Sequence, residues 1–310
     1  MVAVVSWNTR ELLDRCLGAL AADAQAGATE VWVVDNASRD GSVELVREKH
    51  PWVRLLALED NVGYGRAVNL VAARTTSRWF VLTNADVAVE PHALERLRAA
   101  GEADPGAGIV APRLLLPSGE TQHLAWAFPT LGATLIQNLG PRLAPRRLAE
   151  RLALRGAWNP DRPRRIPWAV GACLLVRRRA WDQVGGFDAE QWMSAEDLDL
   201  GWRMHQAQWA TRYEPAAVVQ HEESAATRMV WGEDLPIHWQ RCAYAWMLRR
   251  MGRGRTTTVG LLNLVGSASR LAVDLARAGF RPDPRLRALG RWTLVHFYAF
   301  APRRTLDRYR

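Results

Sequence analysis

Apolar and polar residues alternate in blocks along the first 110 residues of the chain. Short apolar runs bounded by polar turns predict buried strands at residues 2–6, 31–34, 53–58 and 79–83. The segments between these runs have helical spacing and predict helices at residues 12–20, 42–48, 61–74 and 91–100. Strands that alternate with helices predict an α/β fold with a doubly wound, mostly parallel sheet flanked by helices.

The alternation stops between residues 111 and 167, where proline and arginine are frequent. This composition predicts a loop-rich, arginine-rich insertion. Beyond it, the apolar pattern predicts a strand at 168–176, a helix from 179 to 185, a helix at about 195–206 and a strand at 216–220. We therefore expect the first domain to cover residues 1–228.

The residues after this domain read mainly as helix and predict a helical C-terminal extension over residues 229–310. One apolar stripe runs along it, formed by Leu261, Leu262, Leu264, Val265, Ala268, Leu271, Ala272 and Leu275. Such a stripe is typical of a helix packed on a core or partner, and also of an amphipathic helix on a membrane surface. No run of 18 uncharged apolar residues occurs, so a membrane-spanning helix is not expected.

The chain of 310 residues is basic, with a formal net charge of +9. Lys49 is the single lysine, so 40 of the 41 basic residues are arginine. A basic surface can attract nucleic acid, anionic lipid or a phosphorylated substrate. Because no zinc-finger, helix-turn-helix or RNA-binding motif accompanies the charge, nucleic acid is not an expected partner.

The three cysteines, Cys16, Cys173 and Cys242, are far apart in the chain and form no CxxC pair. Neither a zinc site nor a disulfide framework is therefore expected, and a reducing cytosol fits best. The chain starts with a predicted strand, so we expect no signal peptide and a cytoplasmic location.

Acidic and histidine residues follow four of the apolar runs. They are Asp35, Asp86, the pair Glu196 and Asp197, and His221. In open α/β folds, ligands bind at the edge of the sheet where the strands end. Carboxylates and an imidazole at this edge could hold a divalent metal and leave one acid free for proton transfer.

Each of these features also has a structural interpretation. Asp35 either satisfies backbone donors in the turn after its strand or accepts a hydrogen bond from a base or ribose. Residues Ser194 to Asp197 have the form of a helix capping box, although three acids within four residues exceed what capping needs. His221 alone would be a structural histidine, and becomes a candidate ligand because Asp86 is available.

A glycine-rich turn, Asn61 to Asn69, leads into a predicted helix whose start favours anions. The turn lacks the third glycine of a dinucleotide-binding fingerprint and follows the third strand instead of the first. An NAD site is therefore weakly supported.

Seven segments, taken in order, resemble the family-2 glycosyltransferases of the GT-A fold, and most closely their rhamnosyltransferase-like members. These segments are VVSWNTRELLDRCLGAL, VVDNASRDGS, NVGYGRAVN, LTNADV, GACLLVRRRAWDQVGGFD, AEDLDLGWR and VVQHEES, and they span residues 2 to 224. The resemblance implies a GT-A-type sheet and a nucleotide-sugar-binding catalytic domain over residues 1–228.

The resemblance also implies a pocket for a nucleotide sugar. Its residues would be Ser6, Trp7, Asn8, Asp35, Asn61, Gly63, Arg66, Asn69, Asn84 and Asp86. Trp7 would stack or pack on the base, and Asp35 would contact the base.

The remaining implied roles are metal binding and catalysis. Asp86 and His221 would hold Mg²⁺ or Mn²⁺ at the diphosphate, and Asp197 of the pair Glu196–Asp197 would act as the catalytic base. In the family, an Asn-Pro-Asp sequence or a second aspartate usually precedes the metal position. Here Asn84 and Ala85 stand there, which weakens the metal site. The segment Gln191 to Ser194 is also more polar than the aromatic run usual before the acidic pair.

The Gln-x-x-Arg-Trp motif of processive polymerases is not found near the C-terminus, which favours transfer of a single sugar. The resemblance therefore predicts inverting, metal-dependent transfer from a nucleoside diphosphate sugar, dTDP-rhamnose being one candidate. The acceptor would be a hydroxyl of a glycan or of a polyprenyl-diphosphate-linked glycan. The basic, amphipathic C-terminal region suggests a peripheral position on the anionic inner face of the membrane. The alternatives are a catalytically silent nucleotide-sugar-binding protein and a Rossmann-type oxidoreductase.

Overall fold

The computed structural model describes residues 1–27, 29–139, 145–152, 158–191, 193–222, 231–232 and 235–277. The chain divides into two compact units. The first comprises residues 1–126 and 158–232, and the second comprises residues 127–157 and 233–310. Residues 127–157, part of the predicted insertion, therefore group with the C-terminal residues.

The first unit contains a nine-stranded sheet and a two-stranded sheet. The strands are β1 Val2–Ser6, β2 Val31–Asp35, β3 Arg54–Ala57, β4 Trp79–Asn84, β5 Val87–Val89, β6 Ala107–Leu115, β7 Ala125–Trp126, β8 Arg164–Ile166, β9 Trp168–Ala169, β10 Cys173–Arg177 and β11 Ala210–His221. Strands β7 and β9 form the small antiparallel sheet.

Ten helices are described in the two units. They are α1 Arg10–Gln25, α2 Ser42–Lys49, α3 Tyr64–Ala72, α4 Ala93–Ala103, α5 Leu131–Leu139, α6 Arg146–Arg151, α7 Arg178–Val184, α8 Glu196–Gln206, α9 Leu235–Met251 and α10 Arg253–Arg277. Helices α5, α6, α9 and α10 belong to the second unit.

The strands of the large sheet lie in the order β3-β2-β1-β4-β10-β6-β11-β5, and β8 pairs with the first half of β11. Strands β3, β2, β1 and β4 are mutually parallel, and so are β6 and β11. Strand β10 is antiparallel to both of its neighbours. The predicted α/β fold with a mostly parallel sheet is confirmed.

Helical spacing of apolar residues explains how the helices cover the sheet. In α1 the buried residues Leu13, Cys16, Leu17 and Leu20 lie on one face. All five residues of β1 are buried, as are the first five of β4. Burying one such large apolar side chain contributes about 1.5–3 kcal/mol to folding.

The register of the strands brings their polar ends to one edge of the sheet. Ser6 at the end of β1 pairs with Asp35 at the end of β2, and Val5 pairs with Asn84 at the end of β4. The backbone N–H of Ala85 also donates to the carbonyl of Val5. The turns after β1, β2 and β4 therefore meet at the carboxyl edge, where parallel sheets bind ligands.

Strand β11 is longer than the predicted strand at 216–220, because polar residues alternate with buried ones in its first half. Its pairing with β6 shifts between Glu214 and Val218, which marks a bulge. Strand β6 was not predicted as a strand, although its first six residues are buried.

The second unit is helical in its described part, as predicted for the C-terminal extension. The Asn138 amide donates to Asn263 Oδ1 at 2.8 Å, and the Asn263 amide donates to the Tyr244 hydroxyl at 3.0 Å, which joins α5, α10 and α9. Among the described residues, one helix, Arg253–Ala276, is long enough and apolar enough by composition to cross a membrane, with a mean hydropathy of 1.3, and 17% of its most apolar 18-residue window is buried. The expectation that no helix spans a membrane stays a prediction.

Candidate active site

The turns after β1 and β2 are joined by hydrogen bonds at the carboxyl edge of the sheet. The Asn8 side-chain oxygen accepts from the Arg39 backbone N–H at 2.8 Å, and the Ser38 hydroxyl accepts from the Asn8 N–H at 2.9 Å. Asn8 has a φ of 51°, which brings its side chain back over the turn. Ser6 is buried with its hydroxyl 3.1 Å from that of Thr9, and Trp7 is half-buried.

Asp35 is 1% exposed at the centre of this edge. Its Oδ1 accepts the Ser38 backbone N–H at 2.9 Å, as expected of a turn aspartate. Its Oδ2 is buried and has no hydrogen-bond partner in the described part of the chain. Because a buried carboxylate oxygen costs free energy when it is unpaired, this oxygen is suited to accept a ligand donor.

The glycine-rich turn is held against the turn after β2. The Asn36 amide donates to Asn61 Oδ1 at 2.8 Å, and the backbone N–H of Gly63 donates to the same oxygen at 3.0 Å. Gly63 has a φ of 84° where α3 begins, a conformation that favours glycine. Asn61 and Gly63 therefore shape the turn beside Asp35.

Two predicted pocket residues on α3 contact the segment that follows α7. The Arg66 Nε donates to the Ala189 carbonyl at 2.7 Å. The Asn69 side chain makes two bonds to the Phe187 backbone, of 2.9 and 3.0 Å. In this structure both side chains hold the segment that leads to the acidic pair, and their contact with a sugar stays a prediction.

Asp86 and His221 meet where β4 and β11 end. Asp86 is 6% exposed and His221 is 4% exposed, and 3.5 Å separates Asp86 Oδ1 from His221 Nε2. The Glu222 backbone N–H donates to the Asp86 carbonyl at 3.0 Å, and His221 pairs with Val87 in the sheet. Two residues 135 positions apart in the sequence are thus fixed side by side by backbone pairing.

The other imidazole nitrogen of His221 contacts a residue that the sequence analysis missed. His221 Nδ1 lies 2.7 Å from Gln122 Oε1, and Gln122 is itself 9% exposed. A glutamine within the predicted loop-rich insertion carried no local signal for this contact.

The pair Asp86–His221 fits a divalent cation that is shared with a substrate. Carboxylate oxygen and imidazole nitrogen are ligands for Mg²⁺ or Mn²⁺, and such ions often keep one or two protein ligands plus substrate phosphates. Within the described ranges no group of three or more histidine, cysteine, aspartate or glutamate residues could hold a metal. Asn84, whose backbone N–H donates to the Ala172 carbonyl at 3.0 Å, lies at the same edge.

The acidic pair begins α8 in a strained turn. Ser194 and Ala195 have φ values of 62° and 76°, a region that residues other than glycine seldom adopt. Ala195 is the N-cap of α8, and no side-chain capping bond is formed there. The capping-box interpretation of Ser194 is therefore wrong, because the turn carries the serine away from the helix N-terminus.

Asp199, the third acid of this segment, is structural. It is fully buried and its Oδ2 accepts a hydrogen bond of 2.7 Å from the Arg203 Nε one turn later. An ion pair of this kind within α8 explains the third carboxylate without a catalytic role.

The Asp197 carboxylate is held by the main chain. Its Oδ2 accepts from the Gly171 N–H at 3.0 Å, and its Oδ1 accepts from the Leu198 N–H at 2.7 Å. Burial raises the pKa of Asp197, and these two hydrogen bonds oppose the rise because they favour the charged form.

Glu196 has the opposite environment. Its Oε2 is buried without a hydrogen-bond partner among the described residues. Burial, with the neighbouring Asp197 charge, raises the pKa of Glu196 to about 8. The backbone hydrogen bonds favour the charged form of Asp197, and Glu196 Oε2 has no such donor among the described residues, so the pair is arranged to place a shared proton on Glu196.

Tyr64 lies beside the residue that holds Asp197. Its hydroxyl donates to the Gly171 carbonyl at 3.3 Å, next to the Asp197 contact. Burial raises the pKa of Tyr64 well above its usual value, and the charges of Glu196, Asp197 and Asp86 raise it further. The hydroxyl therefore contacts the same residue, Gly171, whose N–H holds the Asp197 carboxylate.

The chain is similar in sequence to known glycosyltransferases. Residues 1–154 match the family model described as glycosyl transferase family 2. An N-acetylglucosaminyl-diphospho-decaprenol L-rhamnosyltransferase of Mycobacterium tuberculosis is 32% identical over 275 residues, which cover 80% of this chain and 88% of that protein.

Solved structures show the same fold. A mannosyltransferase from Pyrobaculum calidifontis, in complex with GDP-Man and Mn²⁺, superposes with a TM-score of 0.60 at 19% identity, over 96% of this chain and 84% of that one. GalNAc-T7 with UDP, GalNAc and Mn²⁺ superposes with a TM-score of 0.55 at 14% identity, over 83% of this chain and 53% of that one.

Proposed function

Because the chain belongs to glycosyl transferase family 2, we propose that it transfers a single sugar from a nucleoside diphosphate sugar to an acceptor hydroxyl, with inversion. The observation that supports this most strongly is the buried pair Asp86 and His221, 3.5 Å apart at the edge of the sheet where β4 and β11 end. The Asp197 carboxylate accepts from Gly171, and the next residue, Ala172, accepts from the Asn84 backbone N–H at the end of β4, so the proposed metal ligands and the proposed base lie at one edge of the sheet. Family membership also removes the oxidoreductase alternative.

In this proposal Asp197 is the general base. It is the ionised member of the acidic pair, and its orientation is fixed by the N–H groups of Gly171 and Leu198. It takes the proton of the acceptor hydroxyl while the oxygen attacks the anomeric carbon in line, opposite the departing diphosphate. Proton transfer to a positioned base contributes about 10²- to 10⁴-fold to the rate.

Glu196 supports the reaction in its neutral form. A protonated carboxyl beside Asp197 can donate a hydrogen bond, and it avoids a second negative charge near the diphosphate. The scheme contains no covalent glycosyl-enzyme intermediate, so one displacement inverts the anomeric configuration.

Asp86 and His221 would hold the divalent cation at the diphosphate. When bound, Mg²⁺ or Mn²⁺ acts as a Lewis acid that offsets the charge growing on the leaving group. The residues themselves contribute a buried carboxylate and an imidazole whose positions are set by the pairing of β5 with β11.

The donor would lie across the ends of β1, β2 and β4. The unpaired Asp35 Oδ2 is suited to accept the imide N–H of a uracil or thymine, and the half-buried Trp7 to pack on the base. The similarity to an L-rhamnosyltransferase favours dTDP-rhamnose as the donor sugar nucleotide.

The acceptor would be a glycan hydroxyl, and more specifically a polyprenyl-diphosphate-linked sugar at the cytoplasmic face of the membrane. The name of the relative includes a diphospho-decaprenol acceptor of this class. One face of α10 exposes Leu261, Val265, Ala268, Ala272 and Ala276 and carries no charge. Exposed arginines lie near its start, at positions 249, 250, 253 and 255, where they could contact anionic headgroups.

Thermal unfolding with a panel of UDP-, dTDP- and GDP-sugars in the presence of Mn²⁺ tests the donor. One nucleoside should raise the unfolding midpoint above the others, and an acceptor glycolipid should then release nucleoside diphosphate. Binding without release would support the catalytically silent alternative, and no binding of any of these nucleotides would overturn the proposal.

A further inference from the structure

The Gln122 side chain lies against the imidazole of His221, at the nitrogen that does not face Asp86. Its Oε1 is 2.7 Å from His221 Nδ1, while His221 Nε2 is 3.5 Å from Asp86 Oδ1. All three residues are at least nine-tenths buried. The imidazole therefore lies between an amide oxygen on one side and a carboxylate on the other.

The chemistry of the two neighbours determines where the imidazole carries its proton. A side-chain amide oxygen can only accept a hydrogen bond, so His221 Nδ1 must be the donor in the 2.7 Å contact. The 3.5 Å between His221 Nε2 and Asp86 Oδ1 is longer than a good N–H···O bond, so no hydrogen bond to Asp86 requires a proton on Nε2. A nitrogen with a free lone pair is the form that binds a metal.

The backbone holds Gln122 at this position. A tight turn follows β6, with hydrogen bonds from the Leu116 N–H to the Glu120 carbonyl and from the Gly119 N–H to the Leu116 carbonyl. The Gln122 N–H then donates to the Leu114 carbonyl at 2.9 Å, at the end of a strand paired with β11. The amide is thus attached to the same sheet as the imidazole it contacts.

We propose that Gln122 is a positioning residue that keeps the proton of His221 on Nδ1 and leaves Nε2 free, beside Asp86, to bind the divalent cation. The inference rests on the proposed metal site for its consequence, but the control of the tautomer is a property of the protein alone. Partners that orient a metal-binding histidine affect metal affinity by about 10- to 100-fold when they are removed.

The test compares three variants of the full chain. In Gln122→Met the side chain has a similar length but no strong hydrogen-bond acceptor, whereas in Gln122→Glu it keeps an acceptor oxygen at the same place. Gln220→Met is the matched control, because Gln220 lies on β11 next to His221 but is exposed and donates to Glu90 at 2.6 Å. Unfolding midpoints show whether each variant is folded.

Two measurements on these variants test the proposal. Long-range ¹H–¹⁵N NMR of ¹⁵N-histidine-labelled protein, without metal or donor, reports the tautomer of His221, assigned by loss of its signals in His221→Gln. Electron paramagnetic resonance of free Mn²⁺ reports the affinity for that ion. We expect the Nδ1–H form in the wild type, in Gln122→Glu and in Gln220→Met. In Gln122→Met we expect loss of this form and Mn²⁺ binding that is about 10- to 100-fold weaker.

The proposal is overturned if the wild type carries the proton on Nε2, or if folded Gln122→Met keeps both the wild-type tautomer and the wild-type Mn²⁺ affinity. A wild type that does not bind Mn²⁺, but loses the Nδ1–H form in Gln122→Met, would count against the proposed metal site. That result would still support the control of the tautomer by Gln122.

Discussion

The Gly171 backbone N–H donates a 3.0 Å hydrogen bond to Asp197 Oδ2, and this bond joins the approach to β10 to the first turn of α8. Gly171 leaves little room for a larger residue, since an added Cβ would lie 3.3 Å from the Asp197 Cβ. The position of the proposed base therefore depends on the main chain and on the small size of residue 171.

Replacement of the proposed base, Asp197, should reduce turnover and leave donor binding nearly unchanged. Asp197→Asn should lower turnover by about 10²- to 10⁴-fold, because an amide cannot take the acceptor proton. Donor affinity, measured by calorimetry, should stay within a few-fold of the wild type. Asp199→Asn is the comparison, and it should lower the unfolding midpoint because Arg203 loses its buried partner. Unchanged turnover of Asp197→Asn would remove this residue from the role of base.

The raised pKa of Glu196 predicts a dependence of stability on pH. Its pKa of about 8 in the folded protein lies above its ordinary value of 4.5, so the folded state binds the proton more tightly than the unfolded state. Stability from this group is complete below about pH 4.5 and is lost as the pH rises towards 8. Glu196→Gln cannot ionise and should gain stability relative to the wild type between pH 5 and pH 9.

Thermal unfolding of both proteins at pH 5 and at pH 9 measures this gain in stability. The unfolding midpoint of Glu196→Gln minus that of the wild type should be larger at pH 9 than at pH 5, by about 2 °C or more. An equal gap at both pH values would show that Glu196 does not carry the proton in the folded protein.

Removal of the proposed metal ligand should weaken donor binding only when the ion is present. Asp86→Asn should lower the affinity for the nucleotide sugar in Mn²⁺ by at least about 10-fold, since the diphosphate loses its link to the protein. The surface variant Asp14→Asn, which loses contacts to Lys49 and His50, serves as control. A chelator that leaves wild-type activity unchanged would contradict the metal assignment.

Asp35→Asn tests recognition of the base. The variant should weaken binding of UDP or dTDP by about 10-fold or more, because a hydrogen bond to a charged acceptor contributes about 1.5–3 kcal/mol. Asp40→Asn is the matched control, since both Asp40 oxygens already accept bonds from Ser42 and Arg10. Equal affinities of the two variants for the nucleotide would indicate that Asp35 only stabilises the turn after β2 and does not contact the base.

Introducing negative charge on the exposed apolar face of α10 tests whether this face binds membranes. The double variant Leu261→Asp and Val265→Asp should sediment less with vesicles of anionic phospholipid, because these side chains are 51% and 63% exposed. Leu70→Asp introduces a charge at an exposed leucine on α3 and should not change sedimentation. Equal recovery of the double variant and the wild type would count against this face as the membrane contact.

The first four strands could be predicted because each is a short apolar run followed by a polar turn. The neighbours of those strands could not, since the apolar sequence of β10 does not reveal that it runs antiparallel between β4 and β6. Strand β5 has only three residues, and its pairing with β11 places Val87 opposite His221. Pairings of this kind are decided by distant parts of the chain.

The candidate site shows the same limit. Positions after apolar runs singled out Asp35, Asp86, Asp197 and His221, and their predicted roles came from the family resemblance. Neither gave any sign of Gln122, whose partner His221 is 99 residues away. Ser194 matched a capping pattern, but the structure places Ala195 at the N-cap and gives both residues positive φ values, which the residue types alone do not indicate.

The reversed direction of β10 has a consequence for how acceptor choice can diverge among related enzymes. Because β10 is antiparallel to β4 and β6, the end of β6 and the start of β10 lie at the edge of the sheet where the sugar would be transferred. The chain between them carries Gln122 and Gly171 near its two ends and adds β8 to the sheet beside β11, while β1, β2 and β4 lie outside it. The part between β7 and β8 can therefore differ in length and sequence among enzymes with different acceptors, and the residues proposed to position His221 and Asp197 or to contact the nucleotide need not change.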